Sequence, residues 1–319
     1  MVRSFLKDTD FSPAEAKEVF DLAARYKATR SAGIIDVLKS ESWGVLFFKK
    51  STRTRLSFEA GLYELGAHPM VMSSNDLQIS RGETIEDTAR IMGRFLHGLV
   101  IRTFEQEIVE KFAKYSGLPV INALTDLLHP CQSYTDMFTM TEFFSDGKPT
   151  PESIKGKKFV FFGDTACNMA YSLALAGAMF DVEVVLCGPE EFKPEPVLNK
   201  LFKEANLTPT WTFTSGPIEA SLKADVLYTD VWVSMGKEDE KAERIKTMSP
   251  YQVNDSLFKV ANKNSLFMHC LPAHAGEEVS QEVLDGKHSV IFDQAENRLH
   301  VQKAIVSYLV GKNREMARK

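Results

Sequence analysis

A short polar segment that follows an apolar run combines hydroxyl and guanidinium side chains. Its sequence is KKSTRTR, and it comes directly after Phe48. If a helix begins at Ser51, the free N–H groups of its first turn lie beside the side chains of Thr52 and Arg53. Guanidinium forks match the oxygens of a phosphate group. The segment therefore predicts a compact site for a dianionic phosphate.

The alternative interpretation of this segment is a hydroxyl cap followed by solvated arginines, which is common on surface helices. Two features favour the phosphate site. The preceding strand is fully apolar, and the apolar face of the following helix needs neither Arg53 nor Arg55. A phosphate site alone does not identify the substrate.

Other polar segments also follow apolar runs. In open parallel sheets, ligands bind at the carboxyl ends of the strands, so these segments are the next candidates for chemistry. They are Arg102, NALTDLLHPCQ with His129 and Gln132, GDTACN, TDVWVSMG and HCLPAH. If the runs before them are strands of parallel sheets, we expect these segments to lie at strand ends.

Short apolar runs alternate with amphipathic stretches along the chain, which predicts strands joined by crossover helices in parallel sheets. We expect strands at Trp43–Phe48, Pro69–Ser73, Gly98–Arg102, Pro119–Asn122, Phe159–Phe162, Val182–Cys187, Thr208–Phe213, Val226–Thr229, Ser265–His269 and Ser289–Phe292. Helices are expected at Thr52–Leu65, Glu83–Gly93, Glu105–Tyr115, Cys131–Phe144 and Ala295–Val310. Ser12, Pro13 and Glu15 form a capping-box pattern at the start of the first helix.

A polar stretch with proline and glycine, Ser145–Lys157, interrupts this alternation. Such a stretch is typical of a domain boundary. The predicted fold class is therefore α/β with two domains, each a parallel sheet flanked by helices. The first domain covers residues 1–145 and the second residues 146–294, and we expect a C-terminal helix at about 295–319 to pack back on the first.

The composition excludes several classes of protein. Among 319 residues, 38 basic and 43 acidic side chains give a formal charge of −5, which argues against a nucleic-acid partner. The four cysteines have no paired zinc spacing, so we expect no metal site, reduced thiols and a cytoplasmic protein. No signal peptide or apolar run of membrane-spanning length is recognised, so no membrane partner is expected.

A nucleotide cofactor is not expected either. A nicotinamide site needs a glycine-rich turn of the form G-x-G-x-x-G after a strand, and GDTACN supplies only Gly163. The Walker pattern G-x-x-x-x-G-K-[ST] is absent as well. We therefore predict no cofactor.

Three of these segments together resemble one known family, the aspartate/ornithine carbamoyltransferases. STRTR at residues 51–55 is similar to the family's carbamoyl-phosphate signature, HPCQ at residues 129–132 is similar to its H-P-x-Q element, and Arg102 falls where the family has an arginine. The resemblance extends from about Trp43 to Val310. It implies a carbamoyltransferase whose active site lies in the cleft between its two domains.

The second half resembles the family's ornithine-specific members. DVWVSMG at residues 230–236, HCLP at residues 269–272 and ENR at residues 296–298 look like segments of that type. The resemblance therefore implies transfer of the carbamoyl group from carbamoyl phosphate to L-ornithine, giving L-citrulline and phosphate.

The resemblance also implies the contacts to carbamoyl phosphate. Arg102 and His129 would stabilise negative charge on the carbonyl oxygen, and Gln132 would accept from the carbamoyl NH2 together with the backbone carbonyl of Leu271. Arg298 would close over the same ligand from the far domain. The implied set is Ser51, Thr52, Arg53, Thr54, Gln78, Arg102, His129, Gln132, Cys270, Leu271 and Arg298.

For ornithine, the resemblance implies contacts from Asn168, Asp230, Ser234 and Met235. Carbamoyl phosphate would bind first, and Asp230 and Cys270 would then position the neutral δ-amine for direct attack. The departing phosphate is a sufficient proton acceptor. The implied catalytic residues are Arg102, His129, Asp230 and Cys270. The family has an asparagine where this chain has Cys167, which puts the geometry around Asn168 in question.

Two loops are implied to act beyond one domain. In the family, a loop of the first domain reaches the neighbouring subunit; here it is 75–78, so Gln78 would contact the neighbour's carbamoyl phosphate in a homotrimer or a multiple of trimers. A solvated loop of a monomer is the alternative interpretation. The loop Ser234–Met248 would act as a lid over ornithine.

Two other functions remain open at this point. Putrescine has no α-carboxylate, so a putrescine carbamoyltransferase needs no S-M-G loop, whereas this chain has Ser234, Met235 and Gly236. A non-catalytic relative that only binds carbamoyl phosphate is the other alternative. An aspartate acceptor would require cations that the S-M-G loop does not offer.

Overall fold

A parallel sheet of four strands organises the first part of the chain, in the order β2-β1-β3-β4. Its strands are β1 (Ser42–Phe47), β2 (His68–Ser73), β3 (Gly98–Arg102) and β4 (Val120–Leu124). The computed structural model describes residues 2–233 and 241–318. Because β1 and β3 are central and nearly all their residues are buried, both faces of the sheet must be covered, here by helices.

A second parallel sheet follows, with five strands in the order β7-β6-β5-β8-β9 among the described residues. Its strands are β5 (Lys158–Phe162), β6 (Glu183–Cys187), β7 (Trp211–Thr214), β8 (Val226–Thr229) and β9 (Leu266–His269). The two sheets confirm the predicted α/β class with parallel sheets flanked by helices.

Several helices begin after a residue whose side chain caps the first turn, as at Ser12, Ser51 and Thr84. The helices of the described residues are α1 (Pro13–Ala28), α2 (Thr52–Glu64), α3 (Ile85–Phe95), α4 (Gln106–Ser116), α5 (Pro130–Phe144), α6 (Asn168–Phe180), α7 (Val197–Glu204), α8 (Pro217–Ser221), α9 (Lys241–Met248), α10 (Asp255–Phe258), α11 (Gln281–Leu284) and α12 (Ile291–Ala317). The predicted capping box is present: the Ser12 hydroxyl accepts from the backbone N–H of Glu15, and the Glu15 carboxylate accepts from the backbone N–H of Ser12. Within residues 2–233 and 241–318, no helix has both the length and the apolarity that a bilayer crossing requires.

The chain divides into two compact units. Unit 1 comprises Met1–Phe138, Ser145–Thr150 and Glu296–Lys319, and unit 2 comprises Thr139–Phe144 and Pro151–Ala295. Each unit contains one of the two sheets.

The predicted strand Ser289–Phe292 is wrong. Ser289 makes only an isolated bridge to Phe267, through Phe267 N–H to the His288 carbonyl at 2.7 Å and Val290 N–H to the Phe267 carbonyl at 3.1 Å. Helix α12 then begins at Ile291, so the last helix is also longer at both ends than predicted. A four-residue apolar run does not distinguish a strand from the first turn of a buried helix.

Close packing of α3 on α4 depends on Gly93. A Cβ at this position would lie 2.1 Å from the backbone oxygen of Ser116, which cannot rotate away as a side chain could. By contrast, a Cβ at Gly311 in α12 would meet nothing within 4 Å. The two helical glycines therefore have opposite structural roles.

We expect Gly93→Ala to lower the free energy of unfolding by about 3 kcal/mol, because overpacking against backbone forces the helices apart. Gly311→Ala is the matched control and should raise the free energy of unfolding by roughly 0.5–1 kcal/mol, since alanine restricts the unfolded chain and favours helix. Urea unfolding of both variants measures the difference. Equal stabilities would show that α3 and α4 do not need this close approach.

Candidate functional site

The start of α2 has the geometry predicted for an anion site. Strand β1 ends at Phe47, and Ser51 is the N-cap residue of α2, where its hydroxyl accepts from the N–H of Thr54 at 3.3 Å. Thr52 and Arg53 lie in the first turn. A first turn has N–H groups without intrahelical partners, and the helix dipole favours negative charge there. The capping role of Ser51 and an anion-binding role are compatible.

Residues from distant parts of the chain meet behind this helix start. Arg102, the last residue of β3, directs Nη1 to Thr54 Oγ1 at 3.4 Å, and Arg298 directs Nη2 to the same oxygen at 3.4 Å. Arg298 Nη1 also donates to Gln132 Oε1 at 2.5 Å. The first unit thus brings together two cations, a hydroxyl and an amide that are separated by up to 244 positions in sequence.

Two expectations for Arg298 disagree. The family resemblance places it in the far domain, whereas the expected C-terminal helix at about 295–319 places it with the first domain. Residues from Glu296 onward belong to unit 1, together with Thr54 and Gln132. The reason is the length of α12, which continues to Ala317 and belongs to the first unit over most of its length. Arg298 is therefore part of the same local cluster as the predicted phosphate site.

His129 lies directly before α5 and is buried. Burial lowers the pKa of His129 well below its ordinary value, and the charges of Arg298 and Arg102 lower that pKa further. The imidazole is consequently neutral at physiological pH. A neutral imidazole can donate one hydrogen bond without adding a third full charge to the cluster.

Two buried residues of this cluster escaped the sequence reasoning. Gln302 is oriented so that its amide oxygen accepts from Arg298 Nε and Nη2 at 2.9 and 2.8 Å, while its nitrogen donates to Ser57 Oγ at 2.6 Å. Asp136 Oδ1 accepts from Gln132 Nε2 at 2.7 Å. Each lies four positions after its partner on one helix. That spacing is the signal that could have identified them.

Other predicted positions of unit 1 lie outside this cluster. Arg55 pairs with Glu59 Oε2 at 3.3 Å on the exposed side of α2, as the surface interpretation of the arginines requires. Gln78 begins a short 3-10 turn, Gln78–Arg81, and is exposed.

In unit 2, the ends of two neighbouring strands bring Asp230 and Cys270 together. Strands β8 and β9 pair in parallel with Thr229 opposite His269, so the next residue of each strand must also be adjacent. Cys270 Sγ donates to Asp230 Oδ1 at 3.0 Å, and the N–H of Val231 donates to the same oxygen at 2.7 Å. The predicted pairing of a carboxylate and a thiol is therefore present in the geometry.

Leu271 follows in an unusual backbone conformation. Its φ is +61°, which is uncommon for a residue with a branched side chain, and its N–H donates to His269 Nδ1 at 2.8 Å. His269 Nε2 faces the buried Glu278 at 3.4 Å. This arrangement fixes the backbone that leads out of β9, where the sequence predicted a carbonyl contact from Leu271.

The first turn of α6 carries Asn168. Cys167 is the N-cap residue, but its side chain makes no capping bond. Burial raises the pKa of the Cys167 thiol, and the carboxylates of Asp164 and Asp230 raise that pKa further. The Cys167 thiol is thus a protonated, uncharged group.

Arg244 holds the backbone of the segment that follows Asp230. Arg244 of α9 donates from Nε to the backbone oxygen of Trp232 at 2.7 Å and forms an ion pair with Asp164. The predicted contacts of Ser234 and Met235 lie outside the described residues. So does the part of the predicted lid that precedes Lys241, whereas the rest of the predicted lid is α9.

Two groups of side chains in the described part of unit 2 bring together atoms of the kind that bind a cation. Ligand atoms of Asp230, His269 and Cys270 all lie within 4.8 Å of one another. The second group is His274, Glu277 and Glu278, whose ligand atoms lie equally close together.

Comparison with known proteins gives a consistent result over both units. The family description "Aspartate/ornithine carbamoyltransferase, carbamoyl-P binding domain" matches residues 3–142. The description "Aspartate/ornithine carbamoyltransferase, Asp/Orn binding domain" matches residues 155–309.

Individual relatives extend over nearly the whole chain. The ornithine carbamoyltransferase of Archaeoglobus fulgidus is 42% identical over 316 residues, which cover 99% of this chain and 100% of the relative. That of Oceanobacillus iheyensis is 46% identical over 311 residues, covering 97% and 94%. The solved ornithine carbamoyltransferase of Pyrococcus furiosus superposes with a TM-score of 0.87 at 40% identity and covers 97% of each chain. These similarities confirm the resemblance inferred from the motifs, and the chain belongs to the aspartate/ornithine carbamoyltransferase family.

Proposed function

We propose that this protein is a carbamoyltransferase that converts carbamoyl phosphate and L-ornithine to L-citrulline and phosphate. The observation that carries the proposal is the cluster of Arg102, Arg298, Thr54 and Gln132 at the strand ends of unit 1. Two guanidinium groups beside a helix N-terminus suit a dianion, and the amide suits a carbamoyl group. The names of the most similar relatives specify ornithine as the acceptor.

Carbamoyl phosphate is proposed to bind first and to unit 1. Its phosphate takes the first turn of α2, with Ser51, Thr52, Arg53 and Thr54, and Arg102 beside it. Gln132 accepts from the carbamoyl NH2, with the carbonyl of Leu271, and Cys270 lies next to that leucine in sequence. Arg298 lies against Thr54 and Gln132 and so contacts the same ligand.

The carbonyl oxygen gains negative charge as its carbon becomes tetrahedral. Arg102 supplies a positive charge and His129, being neutral, supplies an N–H donor. Donors that are already in place need no reorganisation during the reaction, which is why such groups lower the barrier. We assign Arg102 and His129 to this role.

Ornithine is proposed to bind to unit 2. Asn168 and Asp230 contact its α-amino-acid end, together with Ser234 and Met235 of the segment beyond the described residues. Asp230 and Cys270, at 3.0 Å from each other, position the δ-amine. Holding both substrates in one orientation supplies much of the rate through proximity.

The reaction balances without a protein base. The δ-amine must be neutral, because an ammonium ion has no lone pair. Its nitrogen forms a bond to the carbamoyl carbon, and the bond from that carbon to the phosphate oxygen breaks. The nitrogen then carries one surplus proton, which the departing phosphate accepts. Asp230 and Cys270 orient the amine, and neither needs to change its charge permanently.

The cellular setting is also proposed. All four cysteines, which lie within the described part of the chain, are free thiols. Free thiols fit a reducing compartment such as the cytoplasm.

We further propose that the active form is a homotrimer or a multiple of trimers. Unit 1 exposes large apolar side chains around strand β2, on a surface called here the β2 face. Leu56 and Tyr63 border one depression with Pro69, and Met70, Ile91 and Phe95 line another. A cavity of about 230 Å³ on this face is lined by residues that include Met70, Gln78 and Phe95. Exposed apolar patches of this kind mark interaction sites. A neighbouring copy would cover these apolar side chains, and Gln78 would then contact the carbamoyl phosphate bound to that copy.

The acceptor is tested by a citrulline assay with ornithine, putrescine and aspartate in parallel. We expect kcat/KM for ornithine to exceed that for putrescine roughly a thousandfold, since polar groups built to bind an α-amino acid are left unpaired by an acceptor lacking it. Aspartate should give no carbamoyl product above background. A preference for putrescine would overturn the proposal, and binding of carbamoyl phosphate without any product would support the non-catalytic alternative.

The phosphate site is tested by Arg53→Ala, with Arg55→Ala as the matched control on the same helix. A charge-assisted hydrogen bond contributes about 1.5–3 kcal/mol, so Arg53→Ala should lower the affinity for carbamoyl phosphate roughly 10- to 100-fold. Arg55 pairs with Glu59 on the exposed side of α2 and should change affinity less than about twofold. Isothermal titration calorimetry measures both. Unchanged affinity in Arg53→Ala would remove this arginine from the site.

The proposed assembly is tested by Phe95→Asp, whose side chain is 73% exposed in the single chain. A charge in a desolvated interface is unfavourable, so this variant should sediment as a monomer and bind carbamoyl phosphate more weakly. Phe292, 78% exposed in unit 2, provides the control: Phe292→Asp should keep the assembly intact. Sedimentation velocity that shows monomeric wild-type protein would contradict the proposal.

A further inference from the structure

The amide of Gln132 lies between a donor and an acceptor. Arg298 Nη1 donates to Gln132 Oε1 at 2.5 Å, and Gln132 Nε2 donates to Asp136 Oδ1 at 2.7 Å. Gln132 is 1% exposed and Asp136 is fully buried, so water does not compete for these groups. The mechanism above uses Arg298 and Gln132 but gives no role to Asp136.

These two neighbours define one orientation of the amide. A guanidinium has donors only, and an ionised carboxylate has acceptors only. If the amide turned over, its NH2 would face Arg298 and its oxygen would face Asp136, so two favourable hydrogen bonds would be replaced by two repulsive contacts. The oxygen of Gln132 is consequently held on the side of Arg298.

The orientation decides which ligand the site accepts. An amide oxygen has two lone pairs, so Gln132 Oε1 can accept from Arg298 and also from the NH2 of a bound carbamoyl group. A reversed amide would present its NH2 to the ligand, and two NH2 groups, both of them donors, cannot form a hydrogen bond with each other. We propose that Asp136 is a positioning residue that makes Gln132 an acceptor and thereby selects a carbamoyl phosphate over an acyl phosphate of the same shape. This inference deepens the proposed function and rests on it.

A merely structural role for Asp136 is the competing explanation. Residues 132 and 136 are four apart on α5, and side-chain bonds at this spacing also stabilise a helix. Such a bond would support the fold equally for every ligand. Only the positioning role predicts that removal of the carboxylate changes the preference between two ligands that differ in the group facing Gln132.

Acetyl phosphate is the ligand that separates the two explanations. It has a methyl group in place of the carbamoyl NH2 and keeps the carbonyl oxygen and the phosphate, so it makes every proposed contact except those to the NH2. Asp136→Asn keeps the size of the side chain but can present either oxygen or nitrogen to Gln132. One of the two constraints on the amide is then removed while Arg298 keeps the other, so the reversed orientation becomes populated and the hydrogen bond to the carbamoyl NH2 is lost for part of the population.

The experiment measures the affinities of the full-length protein for carbamoyl phosphate and acetyl phosphate by calorimetry. Wild-type protein should prefer carbamoyl phosphate, and in Asp136→Asn that preference should fall severalfold, up to the roughly tenfold loss expected when one hydrogen bond is removed completely. Affinity for acetyl phosphate should change less than about twofold. Asp8→Asn is the matched control, because Asp8 is another buried carboxylate of unit 1 that accepts from Ser133 on the same helix. Its preference should equal that of the wild type.

A double variant keeps the test informative if Asp136→Asn does not fold. In Gln132→Glu/Asp136→Asn, the carboxylate at 132 presents an oxygen to Arg298 in either orientation, while the asparagine donates to its other oxygen. The preference for carbamoyl phosphate should return to within about threefold of wild type. The role of Asp136 is overturned if Asp136→Asn keeps the wild-type preference for carbamoyl phosphate over acetyl phosphate. It is also overturned if the double variant lacks that preference. Wild-type protein without any preference would instead remove the proposed function itself.

Discussion

The burial of the Arg298 guanidinium is the constraint on which the rest of the first site depends. Arg298 is 4% exposed, and an arginine stays charged at any physiological pH, so its N–H groups must find acceptors inside the protein. The oxygens of Gln132, Gln302 and Thr54 supply them. Because amides and hydroxyls carry no charge, these contacts satisfy the hydrogen bonds of the guanidinium without cancelling its field. A cation held in this way attracts a dianion more strongly than one paired with a carboxylate on the surface.

The parallel sheets determine where such constraints can be met. In each sheet, successive strands end at the same edge, so residues that follow different strands become neighbours although they are far apart in sequence. Arg102 ends β3, His129 precedes α5, and Thr54 lies in the helix after β1. The same rule places Asp230 beside Cys270, since β8 and β9 pair residue by residue up to their last positions.

This rule also explains how far the sequence could predict the molecule. Strand ends follow from local apolar runs, so Arg102, His129, Asp230 and Cys270 could be named before the fold was known. The error at Ser289–Phe292 arose because a short apolar run has no clear period. The contacts of Arg298 with Thr54 and Gln132 depend on how α12 packs, which no local pattern encodes. Gln302 and Asp136 were missed because a polar residue inside a helix has chemical meaning only once its partner is known.

The two units use the same strand-end geometry with opposite electrostatics, which follows from the ligands proposed for them. A dianion needs cations and donors, whereas an amine that must lose a proton needs acceptors that do not hold it as ammonium. An isolated carboxylate would stabilise the ammonium form by its charge. At Asp230 Oδ1, the Cys270 thiol and the Val231 N–H already take up part of that charge through hydrogen bonds. In the proposed mechanism, the thiol therefore does more than contact the amine: by sharing the carboxylate, it allows Asp230 to orient a neutral nucleophile.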